Sequence, residues 1–354
     1  MDISREYVDS LSLFYSHVTS HVITGDGKFL LAAVKAGYLA VFPIRSHLKD
    51  LFLASDTTPG EQPLSATAVY PGAKRLKPLS LNPISRPLSL LVDSQPDSSQ
   101  YRLIAGGEGY TLEQVNQLNT NWTINLPSDT TLANVIALSG ERIFSGCSDN
   151  NVYIHDKETQ KETARFTGHQ DYLHAIRVAG DRLFSAGEDG SVRCWDVRAP
   201  GDKPISVILP FKNAALERKH FGKWVGSLDI SPNGEWLVCG GGPRLSVWHL
   251  TSGKCVHICD SPNVAHVAQY VPSDPSSIIF AGNGNLVTTW KLGGTAEASS
   301  SFSCQLDSSI DNIFSIAYHN YADLDYNLSS FSGDSFKIEL CKNGKYIDSE
   351  LFIS

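Results

Sequence analysis

Polar and apolar positions along the chain fall into short runs cut by Gly, Asp and Asn, the pattern of strands joined by tight turns. The clearest unit opens at Gly168-His169-Gln170-Asp171-Tyr172, continues through Ser185-Ala186-Gly187-Glu188-Asp189-Gly190 and closes on Cys194-Trp195-Asp196. The same pattern stands 40 positions earlier. Residues 131 to 156 laid over 171 to 196 give eight identities, among them Gly140/Gly180, Phe144/Phe184, Ser145/Ser185 and Asp149/Asp189. In that earlier unit His155 takes the place of Trp195, and Asp129 stands where His169 would be. Two further units follow, Trp236 to Cys239 with Leu245 to Trp248, and Ile278 to Ala281 with Val287 to Trp290. Weaker ones lie at Phe29 to Val34 with Tyr38 to Ile44, at Tyr101 to Ala105 with Tyr110 to Val115 around Gly106-Gly107-Glu108-Gly109, and at Leu328 to Ser332 with Phe336 to Cys341 and Tyr346 to Ile353.

The Gly-His opening, the Asp-Gly turn and the Trp-Asp close resemble a WD repeat, which forms one four-stranded blade of a β-propeller. A lone blade cannot bury both its faces, so the repeats must pack against one another. The fold expected is all-β, a seven-bladed WD40-repeat β-propeller, with residues 1–354 as a single domain. Ring closure is expected to pair a strand from one terminus with the blade at the other, which would remove exposed edges. One composition shift interrupts the pattern. From Arg45 to Ser99 the chain carries Pro59, Pro63, Pro71, Pro78, Pro83, Pro87 and Pro96, and 45–99 is expected to be a disordered, flexible Pro/Ser-rich insertion between the first two blades. Its Lys74-Arg75-Leu76-Lys77 run reads as solvated charge rather than as a nucleic-acid patch.

Within the clearest repeat, His169, Ser185, Asp189 and Trp195 resemble the His-Ser-Asp-Trp tetrad of WD blades and are expected to form a structural chain of hydrogen bonds. A catalytic triad is disfavoured because Ser185 lies between Phe184 and Ala186 in an apolar strand, whereas a nucleophile needs an accessible hydroxyl. No catalytic, cofactor or metal set emerges elsewhere. Cys255-Val256-His257-Ile258-Cys259 has no second ligand pair at zinc spacing. Gly240-Gly241-Gly242-Pro243 joins two strands and opens no helix, so it lacks the donor array that holds phosphate. His17 and His21 stand four apart without the glutamate of a metalloprotease helix. The net charge of −8 disfavours direct RNA binding by the body of the protein, leaving RNA to be reached only through a complex. The local basic stretch from Lys212 to Lys223, with Arg218, Lys219 and His220, reads as a solvated loop leading into Trp224. Seven cysteines in strand patterns suit reduced thiols of a nuclear or cytosolic compartment, and no apolar run approaches the ~18 residues of a membrane span.

One family is resembled specifically. Gly168 to His174, Gly187 to Arg198, and above all Gly222-Lys223-Trp224-Val225-Gly226-Ser227 with Trp236-Leu237-Val238-Cys239-Gly240-Gly241-Gly242-Pro243 and Leu245 to Leu250 are similar to the WD-repeat subunit family of the THO complex. The resemblance implies a nuclear, non-catalytic scaffold of the transcription-export (THO/TREX) assembly. Such a scaffold docks on coiled-coil subunits and supports the coupling of messenger RNA synthesis and processing to export. Tyr172, His174 and Glu188 in the fourth blade and Lys223, Trp224 and Arg244 in the fifth are the candidate contacts, with Tyr172 and Trp224 preferred because aromatic anchors dominate interfaces. The alternative is a substrate receptor of a cullin-based ubiquitin ligase, in which Arg198 of Trp195-Asp196-Val197-Arg198 would meet the ligase adaptor.

Overall fold

Residues 17–45, 80–84, 88–93, 101–106, 108–114, 117–128, 130–199, 201, 203–293, 300–306, 310–323, 325–335 and 337–352 are described by the computed structural model. They form seven four-stranded antiparallel sheets. The first holds β1 (Val18–Ile23), β2 (Leu30–Val34), β3 (Tyr38–Phe42) and β4 (Ser80–Pro83), and the second β5 (Leu90–Asp93), β6 (Tyr101–Ala105), β7 (Glu108–Gln114) and β8 (Gln117–Thr123). The third holds β9 (Ala133–Ser139), β10 (Arg142–Cys147), β11 (Val152–Asp156) and β12 (Glu162–Phe166); the fourth β13 (Leu173–Ala179), β14 (Arg182–Gly187), β15 (Val192–Asp196) and β16 (Ser206–Ile208). The fifth holds β17 (Val225–Ile230), β18 (Trp236–Gly241), β19 (Ser246–His249) and β20 (Lys254–Ile258); the sixth β21 (Ala265–Val271), β22 (Asp274–Gly282), β23 (Leu286–Lys291) and β24 (Ser300–Gln305). The seventh closes with β25 (Ile313–Tyr321), β26 (Tyr326–Gly333), β27 (Lys337–Lys342) and β28 (Lys345–Phe352).

The first strand of each sheet touches the first strand of the next, and β25 touches β1, so the sheets stand radially around a channel. The architecture is an all-β propeller. Its core is divided among the seams. Along β2, Leu30, Ala32 and Val34 pack on Leu328, Ile338 and Leu340 of the seventh sheet, while Leu31 and Ala33 pack on Leu90, Leu103 and Ala105 of the second. Alternate side chains of a strand point to opposite faces, and a blade in a ring has a neighbour on both, which is why β2 is buried at every position. Outer strands have one side in solvent, and β16 shows it, with no residue fully buried.

Two expectations fail here. The interruption does not lie between the first two blades, because Ser80 to Pro83 pair with β3 (Tyr38 with Pro83, Val41 with Ser80) and supply the fourth strand of the first. A proline is tolerated there because an outer strand has no partner for the lost N–H on its open side. Leu90 to Asp93, also inside the expected insertion, form β5 and pair with β6. Residues 46–79 and 94–100, with the Lys74 to Lys77 run, lie outside the described residues, as does Asp129. The ring also closes without strand exchange: among the described residues every sheet uses four strands consecutive in sequence. Side-chain packing makes the join instead, through the cluster shared by β2, β3, β26 and β27 and through His21. Its ring nitrogens lie 2.8 Å from the hydroxyls of Ser332 and Ser330. A smaller revision concerns the second blade, where β7 begins at Glu108, inside the stretch read as a turn.

Candidate interaction surface

The fourth sheet holds the tetrad residues together. His169 Nδ1 lies 2.9 Å from Asp189 Oδ2 and its Nε2 lies 2.7 Å from Ser185 Oγ, while the Trp195 indole N–H donates to the same hydroxyl at 2.8 Å. Ser191 adds its N–H and hydroxyl to Asp189 Oδ1 at 2.9 and 2.7 Å. Burial alone would raise the Asp189 pKa, but the bond and charge of His169 with the two donations from Ser191 outweigh it and hold the carboxyl well below its usual range. Ser185 is wholly buried. Neighbouring sheets solve the same local problem differently. In the third, the Tyr153 hydroxyl donates to Asp149 and His155 fills the indole's place. In the fifth, Cys239 stands at the serine position and Ser246 takes the Trp248 N–H at 2.9 Å.

The described surface is shaped by a repeated bulge. In six sheets the pairing of the first two strands skips a residue at the second position of the first strand, namely Thr19, Asn134, His174, Gly226, His266 and Phe314. A bulge turns its extra residue out of the ladder and re-aims it. All six line a channel of about 560 Å³. Glycines at the ends of four second strands permit the close crossing, since a Cβ on Gly187 would stand 2.0 Å from the Tyr172 carbonyl oxygen and one on Gly282 1.7 Å from that of Val264.

An aromatic row therefore borders the channel mouth over the fourth to seventh sheets. At the fifth sheet Gly226 leaves room for the Trp224 ring, which stacks on His266 at 5.3 Å between centroids, and Phe314 meets His266 edge-on at 5.7 Å. Phe314 is 43% exposed and Tyr172 53%. Leu88, Leu132 and Phe221 are also exposed where the chain leads into β5, β9 and β17, so five large exposed apolar side chains share this face. The other four among the described residues, Ile205, Val207, Ile258 and Phe302, lie on or beside outer strands.

The seven candidate contacts are not equally available. Tyr172 projects freely, whereas His174 Nε2 and Glu188 pair at 3.0 Å. Trp224 is half-buried, its N–H donating to the Phe221 carbonyl at 2.8 Å. Lys223 is exposed, and Arg244 pairs with Asp260 at 2.6 Å. Arg198 stands apart. Tyr172 precedes Leu173, which pairs with Gly187, while Arg198 follows Asp196, which pairs with Arg182 beside the far turn. It therefore lies on the opposite face, 68% exposed and held by Asp196 at 2.9 Å and Asp181 at 3.4 Å. Arg218, read as part of a solvated basic loop, is instead engaged by five backbone carbonyls: Gly241, Gly242, Pro243, Pro262 and Asn263, at 2.8 to 3.2 Å. It pins the 210–224 loop over the Gly240 to Pro243 hairpin. His266, Phe314, Phe221 and Arg218 were missed as structural or surface determinants. The strand-ending glycines Gly187, Gly241, Gly282 and Gly333 were the signal that locates the bulged position.

Among the described residues no group of three or more His, Cys, Asp or Glu side chains converges, and no helix is long and apolar enough to cross a membrane. Burial pushes the Cys255 thiol up to about 11, away from the thiolate that a metal needs.

The family of the WD domain, G-beta repeat, matches residues 160–196, from the outer strand of the third sheet through β15 of the fourth, and 216–249 in the fifth. The THO complex subunit 6 homolog of Danio rerio is 27% identical over 350 residues, which cover 95% of this chain and 97% of that protein. The THO complex subunit 6 of Homo sapiens is 36% identical over 152 residues, 42% of each chain. A chain in the crystal structure of a mitotic checkpoint complex has the same fold at 13% identity, with a TM-score of 0.55 over 71% of this chain and 76% of that one. Repeat and ring are those of a WD-repeat propeller, and the chain is similar to THO complex subunit 6 over nearly its whole length.

Proposed function

We propose that the chain acts as one propeller unit and serves as a non-catalytic scaffold in a nuclear THO/TREX-type assembly. It docks coiled-coil subunits and supports the coupling of transcription and processing to messenger RNA export, with RNA reached through the complex. The observation that carries the reading is end-to-end similarity to THO complex subunit 6. The docking face is the channel mouth with Tyr172, Trp224 and Phe314, since five of the nine large exposed apolar side chains among the described residues gather on that side and aromatic side chains are the usual interface anchors. The tetrad of His169, Ser185, Asp189 and Trp195 holds the fourth blade rigid beneath it.

The test is purification of the tagged protein from nuclease-treated nuclear extract, comparing wild type with Tyr172→Ala/Phe314→Ala and with Arg198→Ala. THO subunits that co-purify with wild type and Arg198→Ala but are lost from the folded double variant support the reading. Retention of those subunits by the double variant would move docking to another surface. The ligase-receptor reading has one favourable observation, the exposure of Arg198 on the far face. Capture of a cullin adaptor that depends on Arg198 would establish it in place of the scaffold reading.

A further inference from the structure

Cys304 on β24 and Cys341 on β27 come from adjacent blades and meet in the seam between the sixth and seventh sheets. Cys341 belongs to the apolar cluster that fills this seam and Cys304 packs against it. The Tyr346 backbone N–H donates to Cys304 Sγ at 3.3 Å, and Tyr346 is the residue paired with Cys341 across β27 and β28. Each thiol is the leading influence on the other's protonation, so the two stand side by side across the seam. Access differs between them, since Cys341 is 2% exposed and Cys304 is half-buried on an outer strand. The five other cysteines lie in other seams.

We propose that Cys304 and Cys341 are an oxidisable dithiol that a peroxide converts into a disulfide joining the last two blades. The Cys304 thiolate attacks one peroxide oxygen, and the O–O bond breaks to leave a sulfenic acid and hydroxide, which takes a proton and departs as water. The Cys341 sulfur then gives up its proton and attacks the Cys304 sulfur. The S–O bond breaks, a second water leaves, and the S–S bond forms. Two thiols are oxidised and one peroxide is reduced to two waters. The order follows from the surroundings. The neighbouring Cys341 thiol and the Tyr346 N–H favour the thiolate of Cys304 against its burial, whereas Cys341 is held protonated by the Cys304 sulfur beside it and by its own burial. The reactive form is the thiolate, and it sits on the accessible member of the pair.

Purified full-length protein is treated with hydrogen peroxide or kept reduced, quenched with an alkylating agent and mapped by peptide mass spectrometry. The expected result is a Cys304–Cys341 linked peptide in the oxidised sample, with the remaining cysteines alkylated. Dithiothreitol should reverse it. Cys304→Ala should abolish the link, and Cys341→Ala should leave Cys304 as a sulfenic acid captured by a dimedone probe. The oxidised wild type should also melt at a higher temperature than the reduced form, a difference missing in Cys304→Ala. Should Cys341→Ala fail to fold, the wild-type map decides alone. Recovery of Cys341 in its alkylated form at doses that oxidise Cys304, or links only to other cysteines, would overturn the proposal.

Discussion

Ser185 serves two partners with one hydroxyl, accepting from Trp195 and facing His169. Ser185→Ala should leave an indole N–H and an imidazole nitrogen without partners in the interior, at a cost of about 1–3 kcal/mol. Urea unfolding should show it as a lower midpoint at unchanged slope. Ser145→Ala in the third sheet should cost less, because Tyr153 and Asp149 already pair without it; equal losses would show that the four residues do not act as a unit. Asp189 gives a second prediction. Its folded pKa lies below the unfolded value of about 4, so its stabilisation is present above that value and is lost as the pH falls towards the folded one. The stability gap between wild type and Asp189→Asn should therefore be constant near neutrality and narrow below about pH 4. A gap unchanged down to about pH 2 would mean that the carboxylate charge contributes nothing there.

The strand pairs of the strongest repeats could be read from sequence because their apolar alternation and Asp-Gly or Gly-rich turns are local signals. The bulges could not. One extra residue, polar in Asn134 or aromatic in Phe314, leaves the apolar pattern intact while turning a side chain to the channel mouth. β4 was hidden for a different reason: Ser80-Leu81-Asn82-Pro83 has little strand character of its own, and its pairing with β3 makes it a strand. Trp224, expected as an interface anchor, is half-buried instead, because its ring stacks on His266. Gly187→Ala tests the bulge itself. Its Cβ would meet the Tyr172 carbonyl at 2.0 Å, so the backbone must move, with an expected loss of about 1–3 kcal/mol and displacement of Tyr172 and His174. Thermal unfolding and partner capture should fall together; wild-type behaviour in both would mean that the crossing is not tight in solution.

At the scale of the whole ring, the join between the first and seventh blades depends on side chains and carries a buried imidazole. Burial lowers the His21 pKa from 6.5 to about 4, against the opposing bond to the Ser330 carbonyl. The unfolded chain thus binds the proton more readily, and the neutral ring's stabilisation is complete above pH 6.5 and lost as the pH falls towards 4. The loss is on the order of 3 kcal/mol at 1.4 kcal/mol per unit. His21→Gln should flatten the stability profile in that window, and an unaltered slope would assign the acid sensitivity elsewhere. The partners in this join are far apart in the chain, for His21 precedes Ser332 by 311 residues. At ribosomal rates of about 5–20 residues per second, roughly 15–60 s pass between their synthesis. Throughout that interval Leu30, Ala32 and Val34 have only the first blade's own Val18, Ala40 and Phe42 beside them and lack the surface of Leu328, Ile338 and Leu340. One face of the first blade therefore stays uncovered until the last blade emerges, and a message cut short before β25 should yield an open, aggregation-prone chain rather than a scaffold of reduced size.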